Sequence, residues 1–131
     1  MSAAAVLVRG RAAAEALMVD ACVIRRDAGT TYDPDTGYPT ESTSEVYVGK
    51  CRVQQQSASA GDRDVGEAAL LLLRLEVQLP MSVVGVRVDD VVEVTASVHD
   101  PDLPGRRFRV RELAHKTHAT ARRLGVEEVT S

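Results

Sequence analysis

The chain has no tryptophan, a single phenylalanine and three tyrosines, so Phe108, Tyr32, Tyr38 and Tyr47 are its whole aromatic set. Any core must therefore be assembled from Val, Leu and Ala. The scarcity also weakens one function class, because proteins that hold single-stranded nucleic acid stack bases on aromatic platforms. A surplus of Lys and Arg is missing too. The formal net charge is −3, which argues against a protein whose main task is to coat phosphate. Only two cysteines occur, Cys22 and Cys51, both in strand-like apolar stretches and not in a C-x-x-C pair, so they read as buried free thiols. No run approaches the roughly 20 apolar residues of a membrane span. The Ala-rich start, residues 1–18, is interrupted by Arg9 and Arg11 and lacks a preceding charged region, so it does not read as a secretory signal. These absences lead us to expect a protein kept in the cytosol until it is assembled.

Catalytic chemistry is equally sparse. His99, His115 and His118 are the only imidazoles. His115-x-x-His118 would not share one strand face, where the period is two, and no further ligand lies at zinc spacing. Asp33-x-Asp35-x-Gly37 has a faint likeness to a calcium loop, but its twelfth position is Ser44 where a bidentate Glu is needed, so it reads as a hairpin turn. Asp100-Pro101-Asp102 reads the same way. No G-x-S-x-G, H-E-x-x-H, phosphate-binding loop or Cys-His pairing is present, and the carboxylates are scattered over turns. The expectation is a non-enzyme with no catalytic, cofactor-binding or metal-ligating residue.

At 131 residues the chain is one domain's worth with appendages. Residues 3–19 are rich in Ala, Leu, Met and Glu and predict a helix with Gly10 as its weak point. Alternating apolar residues then mark strands at 22–27, at 46–54 with an interruption at Gly49, at 70–79, at 92–98, at 107–111 and near 121–129. Turn clusters separate them at 33–37 and 100–105. Residues 55–67, rich in Gln, Ser, Ala, Gly and Asp without apolar period, predict a long mobile loop. The fold class expected is mainly β: a small barrel or sandwich of six to seven antiparallel strands, with an N-terminal helical segment at 1–19 and a single β domain over 20–131.

Charge is split along the chain. Residues 21–103 hold 14 acidic and 7 basic side chains, whereas residues 104–131 hold 7 basic and 3 acidic. Segregation of this kind suits subunits that stack sign against sign. The basic side chains Arg106, Arg107, Arg109, Arg111, Arg122 and Arg123 are the candidate interface, with Phe108 and Val110 facing the core between them. An OB-like nucleic-acid module is the competing reading of that face.

The order of segments carries more than any one of them. Ala-Glu-Ala-Leu-Met-Val-Asp-Ala-Cys-Val-Ile-Arg-Arg at 14–26, Tyr-Asp-Pro-Asp-Thr-Gly at 32–37 and Val-Tyr-Val-Gly-Lys-Cys-Arg-Val-Gln at 46–54 open the series. Leu-Arg-Leu-Glu-Val-Gln-Leu-Pro at 73–80, Val-Asp-Asp-Val-Val-Glu-Val-Thr-Ala-Ser at 88–97, Asp-Pro-Asp-Leu-Pro-Gly-Arg-Arg-Phe-Arg-Val at 100–110 and His-Lys-Thr-His-Ala-Thr-Ala-Arg-Arg-Leu at 115–124 complete it. As an ordered set these resemble a family of head-to-tail connector proteins, the head-closure or stopper subunits of actinobacterial siphophages. The resemblance implies a structural virion protein in the neck between capsid and tail, present in the host cytoplasm during assembly. It implies a homo-oligomeric ring, six- or twelve-fold, with portal or adaptor protein above, tail terminator or tail tube below, packaged double-stranded DNA nearby and no membrane. A tail terminator or tail-completion ring is the alternative position. Under this reading Ser57, Gly61, Asp62, Arg63, Asp64 and Glu67 form the candidate channel loop, an acidic tip that obstructs DNA without gripping it.

The missing ligand sets generate a direct test. Elemental analysis of the purified protein should find no stoichiometric zinc or calcium; a tightly held equivalent of either would contradict the sequence reading.

Overall fold

The computed structural model describes residues 2–59 and 71–129. One helix, α1 (Ala3–Ala16), precedes six strands: β1 (Asp20–Tyr32), β2 (Pro39–Ser59), β3 (Leu71–Leu79), β4 (Val91–Ala96), β5 (Arg107–Ala114) and β6 (Arg122–Glu128). All pairings are antiparallel, and the order β1-β2-β3-β6-β5-β4 closes on itself through β1 and β4. The architecture is a closed six-stranded barrel, the first of the two mainly β forms expected.

The core follows from strand alternation. Cys22 and Ile24, Cys51, Val77 and Leu79, Val92 and Val94, Phe108 and Val110, and Leu124 form one buried cluster, each 2 % exposed or less. Phe108 is its largest side chain, and its burial contributes about 2–3 kcal/mol. A barrel this small is filled by side chains alone, which explains how a chain with so few aromatics manages a core. Tyr47 packs against the cluster's edge, and its hydroxyl donates to the Lys50 carbonyl at 2.8 Å. The ring passes over Gly49, where a Cβ would lie 2.5 Å from the phenol oxygen. Gly49 is therefore a place for the ring, and β2 runs through it unbroken where the sequence suggests an interruption.

Register defines two ends of the barrel. At the near end stand Asp20, Cys51, Ala96, Arg107 and Glu128; at the far end stand Arg25, Leu79, Val91, Ala114 and Arg122. The helix links the two on the outside. Ser2 caps it, its hydroxyl accepting from the Ala5 amide at 3.2 Å. Gly10 does not break it, because the missing side chain admits Thr120: a Cβ there would meet the Thr120 methyl at 2.9 Å. The Arg11 side chain donates to the Ala119 carbonyl at 3.2 Å, and Glu15 pairs with Lys50 at 3.0 Å. The helix ends at Ala16, three residues earlier than the sequence predicts, because Met18 turns inward to a 4 % exposed site and Asp20 opens β1.

β1, β2 and β5 are longer than expected. β1 continues past Asp27 to Tyr32, β2 starts at Pro39, ahead of the strand expected from residue 46, and it extends to Ser59. The expected loop over 55–67 is thereby corrected: residues 55–59 are strand, paired in register with residues 71–75. Backbone ladder bonds form without any apolar period, which is why periodicity missed them.

Burial raises the Tyr47 phenol to about 12, with Cys22, Cys51 and Glu15 adding to the effect. The neutral phenol is favoured in the folded state, so its contribution is full below the ordinary value near 10 and is lost as pH rises from about 10 to about 12. Ultraviolet titration should show one phenol ionising near 12 together with loss of structure, and Tyr47→Phe should remove that transition; a native Tyr47 titrating near 10 would contradict its packing.

Candidate interaction surfaces

The strands outrun the barrel. β1 pairs with β4 only over residues 21–25, and β2 meets β3 only from Arg52 onward. Residues 27–32 and 39–44 thus form a two-stranded ribbon beyond the far end, with one edge of each strand unpaired. From Asp27 to Glu45 every residue is exposed except Ser42, whose hydroxyl ties the two strands by donating to the Gly29 carbonyl at 3.2 Å. Tyr32 and Tyr38 flank the tip at 71 % and 73 % exposed. The tip is the hairpin turn that the sequence predicts. The Asp33 carboxylate accepts from the Asp35 amide at 2.9 Å, and Gly37, at φ 74°, donates its amide to the Asp33 carbonyl at 2.7 Å. Both acceptor groups of Asp33 thereby serve the turn.

A second ribbon leaves the opposite end. Residues 54–59 of β2 pair with residues 71–76 of β3, whereas β6 joins β3 only from Leu75 onward. Of the candidate channel residues, Ser57 lies on this ribbon, opposite Leu73. Gly61, Asp62, Arg63, Asp64 and Glu67 fall outside the described residues. One strand, β2, therefore carries a projecting ribbon at each end of the barrel, with residues 47–53 as its barrel portion.

The far ribbon is anchored at its base. Asp90 is 2 % exposed, and Arg26 meets it in a two-pronged ion pair, Nε to Oδ1 and Nη2 to Oδ2, each 2.9 Å. The same guanidinium donates to the Gly85 carbonyl at 2.6 Å, and the Arg87 amide donates to Asp90 at 2.8 Å. Asp90 also belongs to the barrel wall, its carbonyl accepting from the Val110 amide at 2.8 Å. The hydrogen bonds to Asp90 raise the Arg26 pKa. The point where β1 leaves the barrel is thus locked to the connection between β3 and β4. No local pattern in the sequence marks a partner 64 residues away.

The six candidate interface arginines do not form one patch. Arg106 sits at the near end, held by Asp102 at 2.8 Å and Glu128 at 2.7 Å, which raise its pKa. Arg107, Arg109 and Arg111 line the outer face of β5. There Arg111 pairs with Glu127 at 2.9 Å and Asp89 at 3.4 Å, while Arg109 stands opposite Glu127 in the ladder. Arg123 reaches Glu76 at 3.4 Å, and Arg122, at the far end, donates to the Val83 carbonyl at 2.9 Å. Arg106, Arg111 and Arg123, half of the six, are thus met by carboxylates of the same chain. A surface neutralised in this way is poorly suited to gripping phosphate.

Cys22 and Cys51 stand diagonally on neighbouring strands, 1 % and 0 % exposed. The hydrogen bond that the Cys51 thiol donates to the Cys22 sulfur, together with burial, raises Cys51 and holds it protonated. Thiol nucleophilicity requires the thiolate, so Cys51 is held in its unreactive form. Among the described residues no three His, Cys, Asp or Glu gather where they could hold a metal ion, and no helix is long and apolar enough to cross a membrane.

Fold and surfaces define a class: a closed antiparallel barrel that presents strands beyond both of its ends. The chain belongs to DUF6093, a family of unknown function, whose family model matches residues 10–127. Searches of curated proteins and of solved structures gave no significant match.

The buried pair yields a stability prediction. Asp90→Asn removes the charge that organises Arg26, Gly85 and Arg87, and should lower Tm by about 5–10 °C, with faster protease cleavage within residues 27–44. An unchanged Tm would contradict the anchoring role.

Proposed function

We propose that this chain is a non-enzymatic structural subunit of the neck of a long-tailed phage, a head-closure ring component between portal or adaptor and tail. The observation that carries the reading is the placement of two projecting ribbons at opposite ends of one barrel, both built on β2. A connector must contact something above, something below and its own neighbours, and a rigid barrel with an arm at each end supplies separate surfaces for these tasks. Closure of the sheet removes edges from the barrel wall, so open edges remain only on the arms, where pairing with another chain is useful. The ordered motif set of the sequence supports the same assignment. The self-neutralised arginine face favours it over a nucleic-acid binder, since DNA in a neck is enclosed and not read.

Deleting the gene in the phage separates the neck positions. Loss of a head-closure subunit should leave complete tails beside heads that leak their DNA, with the chain absent from the mutant's virion proteins and present in wild type. Heads that retain DNA beside tails of abnormal length would indicate a tail terminator, and normal infectious particles would contradict the neck reading.

A further inference from the structure

We infer that the far-end ribbon, residues 27–45, docks on the far end of a second copy of this chain, at the turn between β5 and β6 that carries Lys116. The ribbon holds Asp27, Asp33, Asp35, Glu41 and Glu45 with no Lys or Arg from 27 through 49. None of the ion pairs between described residues uses these carboxylates. Its outer edges are unpaired and its two tyrosines are exposed. A two-stranded ribbon without further cover is marginal in water, and here only its base is anchored, through Arg26. Such an arm gains most from a partner that brings positive charge and covers its edges.

This chain supplies that partner at the same level. Residues 113–121, at the far end, contain Lys116, His115 and His118 and no carboxylate. Lys116 is exposed and joins no ion pair between described residues, and neither does the exposed side chain of Arg87 in the neighbouring connection. Ribbon and turn are thus two different, charge-complementary surfaces at one end of the barrel. A contact between unlike patches of identical subunits is heterologous, and when its rotation closes it generates a ring. The inference rests on the ring reading for its geometry. It assigns the acidic ribbon to lateral contact between copies, with portal, adaptor or tail protein as the occupants it excludes.

Sedimentation equilibrium of the full chain up to about 1 mM, the range in which weak ring contacts become populated, tests this with three chains: wild type, Lys116→Glu, and the double variant Glu41→Lys with Glu45→Lys. All three positions are exposed, and thermal melts verify that each variant folds. Wild type should self-associate, each variant alone at least ten-fold more weakly, and an equimolar mixture of the two variants should recover association because the reversed ribbon meets the reversed turn. A wild type that stays monomeric throughout, variants that associate like wild type, or a mixture as weak as its components would overturn the inference. Ribbon variants with unchanged self-association that fail only in virion assembly would place another neck protein on the ribbon and overturn it as well. Failure of the neck reading is separately visible: a chain that associates through the ribbon but is absent from virions keeps this contact and loses that assignment.

Discussion

The structure depends on a mismatch of lengths. β2 has 21 residues and β4 has 6. At the usual rise, β2 is about 70 Å long, several times the height of the wall that it helps to close. A barrel wall needs every strand to find two neighbours, and β4 sets how much of β1 can be enclosed. Among the described residues, the remainder of β1 and β2 pairs only with each other, and beyond the near end the remainder of β2 pairs only with β3. The two arms are what is left when one long strand passes through a short barrel.

That arrangement demands a rigid exit. An unanchored ribbon would fray from its base, because it buries little apolar surface against the cost of ordering its backbone. The Arg26–Asp90 pair meets this demand at the far end, and the bulge between Ile24 and Arg25 lies beside it. Bulges bend a strand and increase its twist, so the direction of the arm is set within a few residues of the ion pair. The helix does comparable work along the barrel's length, clasped at Gly10 against Thr120 and at Glu15 against Lys50 while burying none of its own residues.

Legibility in the sequence followed burial. Residues 75–79 alternate apolar with polar, and Val92 and Val94 flank Glu93, because one face of each strand lines the core, so both read as strands. Phe108 and Val110 were placed inward on the same ground. The arms were not readable. Residues 27–32 and 39–44 are exposed on both faces, so nothing imposes a period of two; only the run Thr30-Thr31-Tyr32 and the threonines at 40 and 43 carry strand propensity that could have marked them. Residues 55–59 read as loop in the sequence because Gln, Ser and Ala are poor strand signals on their own. The arginine positions were found, but their partners were not: Glu76, Glu127 and Glu128 reach them through pairings that only the closed sheet creates.

Under the proposed function the projecting ribbons are covered by other chains while the barrel stands alone. Amide hydrogen exchange measured on the free chain and on the chain within intact virions tests it most directly. Exchange should be slow for residues 22–24 and 92–94 in both states, and fast for residues 27–32 and 39–44 in the free chain but slow on assembly. Ribbon amides that exchange equally fast in both states, or that are already as protected as the barrel in the free chain, would contradict it.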